Sequence, residues 1–144
     1  MIPSQVADLD ERMLRITRSV YEAMLAHLQA VYPLEGCGIL GGVGDTAVQH
    51  VAIDNILQSP VAYEMDPLQQ IQAMMTIEAQ GQEIIAIYHS HPAGPAHPSP
   101  TDVALAYYPD SVYVIVSLTD QAAPTVGAFR IGDGRYTPVS LLVE

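Results

Sequence analysis

Two histidines close an apolar run of the chain, and their spacing is the first sign of chemistry in the sequence. His89 and His91 end the segment 83–91, EIIAIYHSH, whose isoleucines predict a strand. On a strand, residues two apart point to the same face, so both imidazoles can converge on one ion. Imidazole is a common metal ligand, and the pair therefore predicts part of a metal site.

A proline-rich loop follows the histidines and leads to a carboxylate. Four prolines lie within residues 92–100, and they stiffen the loop that separates the candidate ligands. At the end of this loop Ser99 suits a helix N-cap, Pro100 suits the first helical position and an acid at the third position completes a capping box. That acid is Asp102. In a helix's first turn it can supply a carboxylate to the same ion.

Two imidazoles and one carboxylate are the ligand set of a catalytic zinc site, because they leave one vertex of the tetrahedron for water. Zinc lowers the pKa of such a water to about 7. The reaction then needs a general base, and the candidate is Glu35 in the segment 33–40, PLEGCGIL. A carboxylate at the junction of a helix and a buried strand is costly to bury without a role or a partner.

Each of these residues also has a structural interpretation. The spacing of His89 and His91 is compatible with two structural histidines, and a Ser-x-x-Asp sequence is typical of an ordinary capping box. Glu35 is compatible with a partly exposed loop acid. The joint pattern of all these residues favours the metal site.

Three further residues are candidates for substrate binding. His97, inside the proline-rich loop, is either an accessory residue that contacts substrate or a surface histidine. Cys37 is either a small buried hydrophobe or a thiol that contacts substrate or metal. Tyr63 belongs to the stretch 59–65, which reads as extended and, with its proline at position 60, as a sheet edge. A substrate tail can add to such an edge as a further strand.

Helices and strands must bring these distant residues together. Helices are predicted at 19–32, at 67–81 and from 99 to 108. In the second of these, Pro67 suits the first position, Gly81 suits the position after the end, and the helical period falls on Leu68, Ile71, Met74 or Met75, and Glu78. Strands are predicted at 12–16, 37–42, 47–54, 83–91, 111–118, 124–131 and 135–143, with a turn at 132–134. Helices interleaved with strands predict an α/β or α+β sheet domain.

Composition limits the class of protein. A chain of 144 residues with 49% hydrophobic residues fits one globular domain, 1–144. The net charge of −11 opposes binding to nucleic acid and to anionic membranes, and the apolar runs are shorter than the roughly 18 residues that span a bilayer. Residues 1–13 do not resemble a signal peptide, and the single cysteine excludes an internal disulfide. These features favour the cytoplasm.

The combined pattern resembles the signature of the JAMM (MPN+) metalloprotease family. That signature is an upstream glutamate, then H-x-H, ten intervening residues and an aspartate, with a serine three residues before it. It reads here as Glu35, His89, His91, Ser99 and Asp102. The likeness also includes the E-x-C-G-I-L segment, the N-x-x-x-S-P-x-x-Y stretch from Asn55 to Tyr63, and the strand YVIVSL. It therefore covers most of the chain.

The resemblance implies a fold, a cofactor and a reaction. It implies one JAMM/MPN-like domain, with a mixed, mostly antiparallel sheet flanked by helices and similar to cytidine deaminases. It implies one Zn²⁺ per chain on His89, His91 and Asp102, with Glu35 as general base and Ser99 as a hydrogen-bond donor to the oxyanion. The chain most resembles short bacterial members that process small ubiquitin-like (β-grasp) sulfur-carrier proteins. The implied reaction is hydrolysis of an amide bond next to the carrier's Gly-Gly C-terminus.

Other functions remain open at this point. A zinc deaminase needs a P-C-x-x-C ligand pair, which a chain with one cysteine does not have. A non-catalytic scaffold of the same fold is an alternative, although every ligand position is filled here. A JAMM peptidase acting on a different peptide is a second alternative. The sequence is also compatible with a homodimer.

Overall fold

The computed structural model describes residues 13–144. Its strands are β1 (Met13–Ile16), β2 (Cys37–Val43), β3 (Thr46–Ile53), β4 (Glu83–His91), β5 (Val112–Ser117), β6 (Thr125–Gly132) and β7 (Arg135–Val143). Its helices are α1 (Arg18–Val31), α2 (Pro67–Ala79) and α3 (Pro100–Ala104). Position 12 of the first predicted strand and nearly all of the stretch predicted to hold no signal peptide lie outside the described residues. None of the described helices has the length and apolar character that crossing a membrane requires.

The strands form one mixed sheet that closes into a barrel in the order β1-β3-β2-β4-β5-β6-β7. The pairs β2–β3, β2–β4, β5–β6 and β6–β7 are antiparallel, whereas β4–β5, β1–β3 and β1–β7 are parallel. The mixed character matches the prediction, but the closure does not follow from it. Closure depends on β1, which pairs along one side with β3 and along the other with the end of the chain in β7.

Strand β4 lies at the centre of the sheet, and its residues alternate between two packed faces. One face carries Ala86 and Tyr88 into an apolar cluster that includes Met24 and Leu28 of α1. The other face carries Ile87 into a cluster that includes Ile77 of α2. Because side chains alternate along a strand, His89 and His91 continue the face of Ile87. The candidate ligands therefore lie on the α2 side of the sheet.

Helix α2 has the predicted ends but packs through a different face from the one predicted. Its N-cap Asp66 accepts hydrogen bonds from two backbone amides of the first turn, at 3.0 and 3.1 Å, and Gly81 follows the last turn with φ +73°. The buried residues are Ala73 and Ile77. Leu68, Ile71 and Met75 are 64, 56 and 63% exposed. The helical period was right, but the apolar stripe it selected faces solvent.

One other predicted element is wrong, and a second is confirmed only in its first part. The stretch 59–65 is a loop that pairs only through one bridge, between Asn55 and Met65. The Asn55 side chain forms hydrogen bonds with the Ala62 carbonyl and the Glu64 amide of this loop. In a sheet, these groups would bond a neighbouring strand. Helix α3 ends at Ala104 instead of continuing to 108. The proline at position 109 disfavours the α conformation just before it, and the amide of residue 108 bonds the Tyr113 hydroxyl at 3.0 Å instead.

Candidate metal centre and cleft

The two candidate histidine ligands are held by the middle of the sheet. His89 is opposite Cys37 of β2 and Ile115 of β5, and His91 is opposite Ser117 at the end of β5. Both histidines are buried, at 1 and 9% exposure. The end of the strand therefore presents two imidazoles, His89 from a position paired on both sides and His91 from a position paired with β5.

Asp102 reaches the histidines from the first turn of α3. Ser99 Oγ accepts a hydrogen bond from the Asp102 amide at 3.0 Å, and the Ser99 amide donates to Asp102 Oδ2 at 2.9 Å. This is the predicted capping box, with Pro100 at the first helical position. The capping box fixes the carboxylate, because the same oxygen that caps the helix also faces His91.

The three candidate ligands converge on one point. His89 Nε2 and His91 Nε2 lie 3.1 Å apart, and they lie 3.2 and 3.0 Å from Asp102 Oδ1 and Oδ2. Ligand atoms of a tetrahedral zinc ion with bonds of about 2.0–2.1 Å are about 3.3 Å apart. Among residues 13–144 this is the one group of three or more such side chains close enough to hold a metal ion.

The hydrogen bonding of His91 shows why a cation fits between these groups. His91 Nδ1 lies 2.7 Å from the Pro95 carbonyl oxygen, which can only accept, so Nδ1 carries the hydrogen. In the neutral ring Nε2 then presents a lone pair, and it faces the Asp102 carboxylate at 3.0 Å. Two acceptors at this distance need a positive charge between them. The donor set of two nitrogens and one carboxylate oxygen suits zinc.

The pKa shifts favour the ligand forms of at least two of these groups. Burial lowers the pKa of His89, which keeps its ring neutral, although its contact with Asp102 opposes this effect. For Asp102, burial would raise the pKa, but the hydrogen bonds to His89 and His91 outweigh it and hold the pKa well below its usual range. Burial also acts to lower the pKa of His91, yet its bonds to Asp102 and Pro95 raise it overall. Neutral imidazole and ionised carboxylate are the forms that bind metal.

Glu35 lies at the start of β2, tied by backbone bonds to the strand that carries the histidines. The Gly36 amide donates to Ser90 Oγ at 2.9 Å, and the Ser90 amide donates to the Gly36 carbonyl at 3.0 Å. Ser90 is the residue between the two histidines. A side chain on Gly36 would lie 2.7 Å from Leu28 and from Val31 of α1, so glycine lets this junction pack against the helix.

The Glu35 carboxyl is buried, with 6% exposure, and burial raises its pKa to about 7, with a smaller opposing effect from His91. It shares a cleft of about 820 Å³ with the three candidate ligands. Part of its wall is the proline-rich loop 92–100, and another part is formed by residues 57–65. A carboxyl with a pKa near neutrality beside a metal-binding group is the arrangement that general base catalysis requires.

The remaining predicted site residues divide between the cleft and the core. Ser99, Tyr63 and His97 all line the cleft. Cys37 does not: it is fully buried, its thiol donates to the Ile53 carbonyl at 3.4 Å, and burial raises its pKa to about 12. This placement contradicts the predicted contact of Cys37 with substrate and supports its role as a small core residue.

Sequence reasoning gave no role to Asn55, although its side chain joins the Glu35 backbone to the loop that follows it. Asn55 Nδ2 donates to the Glu35 carbonyl and to the Ala62 carbonyl, both at 3.0 Å. The signal in the sequence was the stretch from Asn55 to Tyr63, whose first residue is an asparagine after a strand. Asparagine is frequent at such turns, so its type alone does not indicate a role near the site.

The fold and the site together define a class: a small mixed-sheet protein with a cleft that brings two strand histidines, a helix-cap aspartate and a buried glutamate together. The chain belongs to the family described as prokaryotic homologs of the JAB domain, whose model matches residues 17–132. This match confirms the resemblance that the sequence pattern indicated. A specific likeness to cytidine deaminases remains a prediction.

Several known proteins are similar over most of their length. The CysO-cysteine peptidase of Mycobacterium tuberculosis is 37% identical over 136 residues, which is 92% of this chain and 93% of that protein. A probable TtuB-protein conjugate cleaving protease of Thermus thermophilus is 39% identical over 131 residues, which is 90% of this chain and 84% of that protein. The solution structure of protein DSY2949 from Desulfitobacterium hafniense has a TM-score of 0.83 and 34% identity, covering 92% of this chain and 93% of that one.

Proposed function

We propose that the protein is a zinc-dependent peptidase or isopeptidase that cleaves the amide bond next to the Gly-Gly C-terminus of a small ubiquitin-like sulfur-carrier protein. The observation that carries this proposal is the convergence of His89 Nε2, His91 Nε2 and the Asp102 carboxylate within 3.0–3.2 Å, in the cleft that Glu35 lines. The names of the peptidase and the conjugate-cleaving protease above favour the same chemistry. The whole chain, 1–144, would form one such domain.

The proposed mechanism assigns separate tasks to the residues of the cleft. His89, His91 and Asp102 would hold a single zinc ion, which when bound activates a water molecule and polarises the substrate carbonyl. Glu35 would take a proton from the attacking water and deliver it to the leaving amine. Its buried position suits this task, because a pKa near the working pH serves both the acceptance and the donation of a proton.

Ser99 would donate its hydroxyl hydrogen to the oxyanion that forms on the substrate. Its oxygen already accepts from the Asp102 amide at 3.0 Å, and a hydroxyl can accept one hydrogen bond while it donates another. Donors of this kind contribute about 2.7–4 kcal/mol where they have been removed. The cap and the oxyanion contact are therefore compatible roles of one side chain.

The shape of the cleft suits a narrow, flexible tail. Its walls include five prolines and four tyrosines, Tyr63 among them, together with His97. A tail that ends in two glycines has no side chains next to the bond to be cleaved, so it can pass between these walls. We infer that the folded part of the carrier stays outside the cleft. The alternative of a non-catalytic scaffold gives no reason for four such groups in one cleft.

Mass spectrometry tests the proposal directly. Candidate carrier proteins with a C-terminal extension are incubated with the zinc-loaded protein, and cleavage after the second glycine is expected. Glu35→Gln should retain about one zinc ion per chain while its turnover falls by about 10²- to 10⁴-fold.

The matched control for this variant is Glu78→Gln, which removes an exposed acid of α2 that does not line the cleft. It should keep wild-type turnover. Full activity of Glu35→Gln would refute the assignment of the base. A protein that binds no zinc and cleaves no carrier would favour the scaffold.

A further inference from the structure

The Asn55 side chain makes four hydrogen bonds, which is all that a primary amide can make with its two donors and two acceptor sites. Nδ2 donates to the Glu35 and Ala62 carbonyls, both at 3.0 Å. Oδ1 accepts from the Leu57 amide at 3.0 Å and from the Glu64 amide at 3.1 Å. The two donor bonds are to carbonyls and the two acceptor bonds are from amides, so only one orientation of the amide satisfies all four partners.

These bonds tie the loop 55–64 to the backbone of Glu35. The Glu35 amide donates to the Ser59 carbonyl at 2.9 Å, and its carbonyl accepts from Asn55. Both backbone groups of Glu35 are therefore held by this one loop. The position of the Glu35 carboxyl depends on how the loop folds, and the loop folds around Asn55.

The same loop also touches one of the candidate ligands. Tyr63 lies between two residues that bond the Asn55 side chain, and its ring stacks on His89 with centroids 4.6 Å apart and an interplanar angle of 28°. His89 Nδ1 is buried and has no hydrogen-bond partner within residues 13–144. His91, by contrast, is oriented by its bond to Pro95. At Nε2 the His89 ring contacts Asp102 and His91. Its Nδ1 side has no such bond, so there the orientation of the ring rests on packing, to which Tyr63 contributes.

We propose that Asn55 is a positioning residue that holds the Glu35 backbone and, through Tyr63, the imidazole of His89 in their working places. This inference rests on the hydrolase function proposed above. It requires an amide at position 55: an aspartate has the same shape, but would place a carboxylate oxygen against the Glu35 and Ala62 carbonyls, which are both acceptors.

The test compares Asn55→Asp and Asn55→Ala with the wild type in two measurements. Zinc affinity is measured by competition with a chromogenic chelator, and kcat and KM are measured on a cleavable carrier. Both variants should bind zinc about tenfold more weakly and lose about 10- to 100-fold in kcat, which is the range seen when a partner of a metal ligand is removed. A residue with a merely structural role would lower thermal stability and leave both values unchanged.

Gln69→Ala is the matched control. The Gln69 amide also links a helix to a loop, because Oε1 accepts from the Asp54 amide and Nε2 donates to Asp54 Oδ2, both at 2.8 Å. Gln69 is not among the residues that line the cleft. Its loss should lower the melting temperature while kcat and zinc affinity stay within about twofold of the wild type. Asn55 variants that behave like this control would overturn the proposal.

Variants of Tyr63 keep the proposal testable if the Asn55 variants do not fold. Tyr63→Ala removes the ring that stacks on His89 and should weaken zinc binding, whereas Tyr63→Phe keeps the ring and should have the zinc affinity of the wild type. Equal zinc affinity in all three proteins would refute the positioning of His89. A wild-type protein that binds no zinc would instead refute the proposed function, so the two failures are distinguishable.

Discussion

At the scale of single residues, the ionisation of Glu35 should control the activity. Burial raises the pKa of this carboxyl to about 7, and a general base works only when it is deprotonated. We therefore expect an acidic limb in the pH profile, in which kcat/KM rises by about tenfold per pH unit. It should level off at or below about pH 7. A bound cation favours the ionised carboxylate and so can only move this limb to lower pH.

The measurement is a pH profile from about pH 5 to about pH 9, with a folded, zinc-loaded enzyme confirmed at each point. The residual activity of Glu35→Gln should lack this limb, because glutamine does not titrate. A wild-type profile that is flat over this range, or an identical limb in the variant, would assign the proton transfer to another group.

The sequence allowed the candidate ligands and the candidate base to be selected, but not the residue that holds them in place. His89, His91, Asp102 and Glu35 could be selected because their types and local geometry limit what they can do. Asn55 could not, because its partners are backbone groups 7 and 20 residues away, which the sequence does not place. For Cys37 the sequence left two interpretations open, and its burial in the core supports the small buried residue.

At the scale of elements, the contact between β2 and the side chain of Tyr88 should limit what the sheet accepts. A Cβ on Gly38 would lie 2.4 Å from the Tyr88 ring. This ring cannot easily move aside, since its hydroxyl is bound by His27 of α1 at 2.6 Å and by His50 of β3 at 2.7 Å. Tyr88 also precedes His89, so displacement of the ring strains the strand that carries the ligands.

We therefore expect Gly38→Ala to lower the free energy of unfolding by about 1–3 kcal/mol, the usual cost of overpacking. Gly132→Ala in β6 is the control, because a Cβ there would have no atom within 4 Å. Urea denaturation of the two variants and the wild type measures the difference. Equal stability of the two variants would mean that Tyr88 can be displaced without cost.

The elements that sequence reasoning placed well are those with strong local signals. Asp66, Pro67 and Gly81 mark the ends of α2, and the turn at 133–134, with φ +55° and +76°, joins β6 to β7 as predicted. Which face of α2 is buried was not predictable in the same way. The face with Ala73 and Ile77 and the face with Leu68 and Ile71 are both apolar, and packing against the sheet determines which one is buried. The loop 59–65 was misread as a sheet edge because its Ala62 carbonyl and Glu64 amide bond the Asn55 side chain instead of a neighbouring strand.

At the scale of the whole molecule, barrel closure is the feature furthest from local signals. β1 is four residues long, and it joins both β3 and the last strand, so that Arg15 bonds Glu144 at 2.7 Å across 129 positions. A short strand with one arginine gives no indication of two partners so far apart. Sequence reasoning therefore gave the type of sheet, and the closure came only from the structure.

The charge of the whole molecule should also influence which conjugates are cleaved. The net charge is −11, and the described cleft lining includes Glu35, Glu64 and Asp102 but no lysine or arginine. A carrier joined to a single amino acid brings a free carboxylate close to the bond that is cleaved. A carrier joined to a lysine side chain within a protein does not. The zinc ion proposed above would offset Asp102 and Glu35, so the remaining repulsion comes from Glu64 and from the net charge of the molecule. This repulsion should disfavour the first kind of leaving group.

Two substrates isolate this effect: a carrier extended by one amino acid with a free carboxylate, and the same carrier with that carboxylate amidated. At low salt the amidated substrate should have a kcat/KM about two- to fivefold higher, the size expected for charges separated by several ångströms of solvent. Added salt should shrink the difference, because it screens exposed charges. A preference for the free carboxylate would mean that a cation in the cleft receives it. His97, which also lines the cleft, is the side chain to replace in that case, since loss of the preference in His97→Ala would assign the contact.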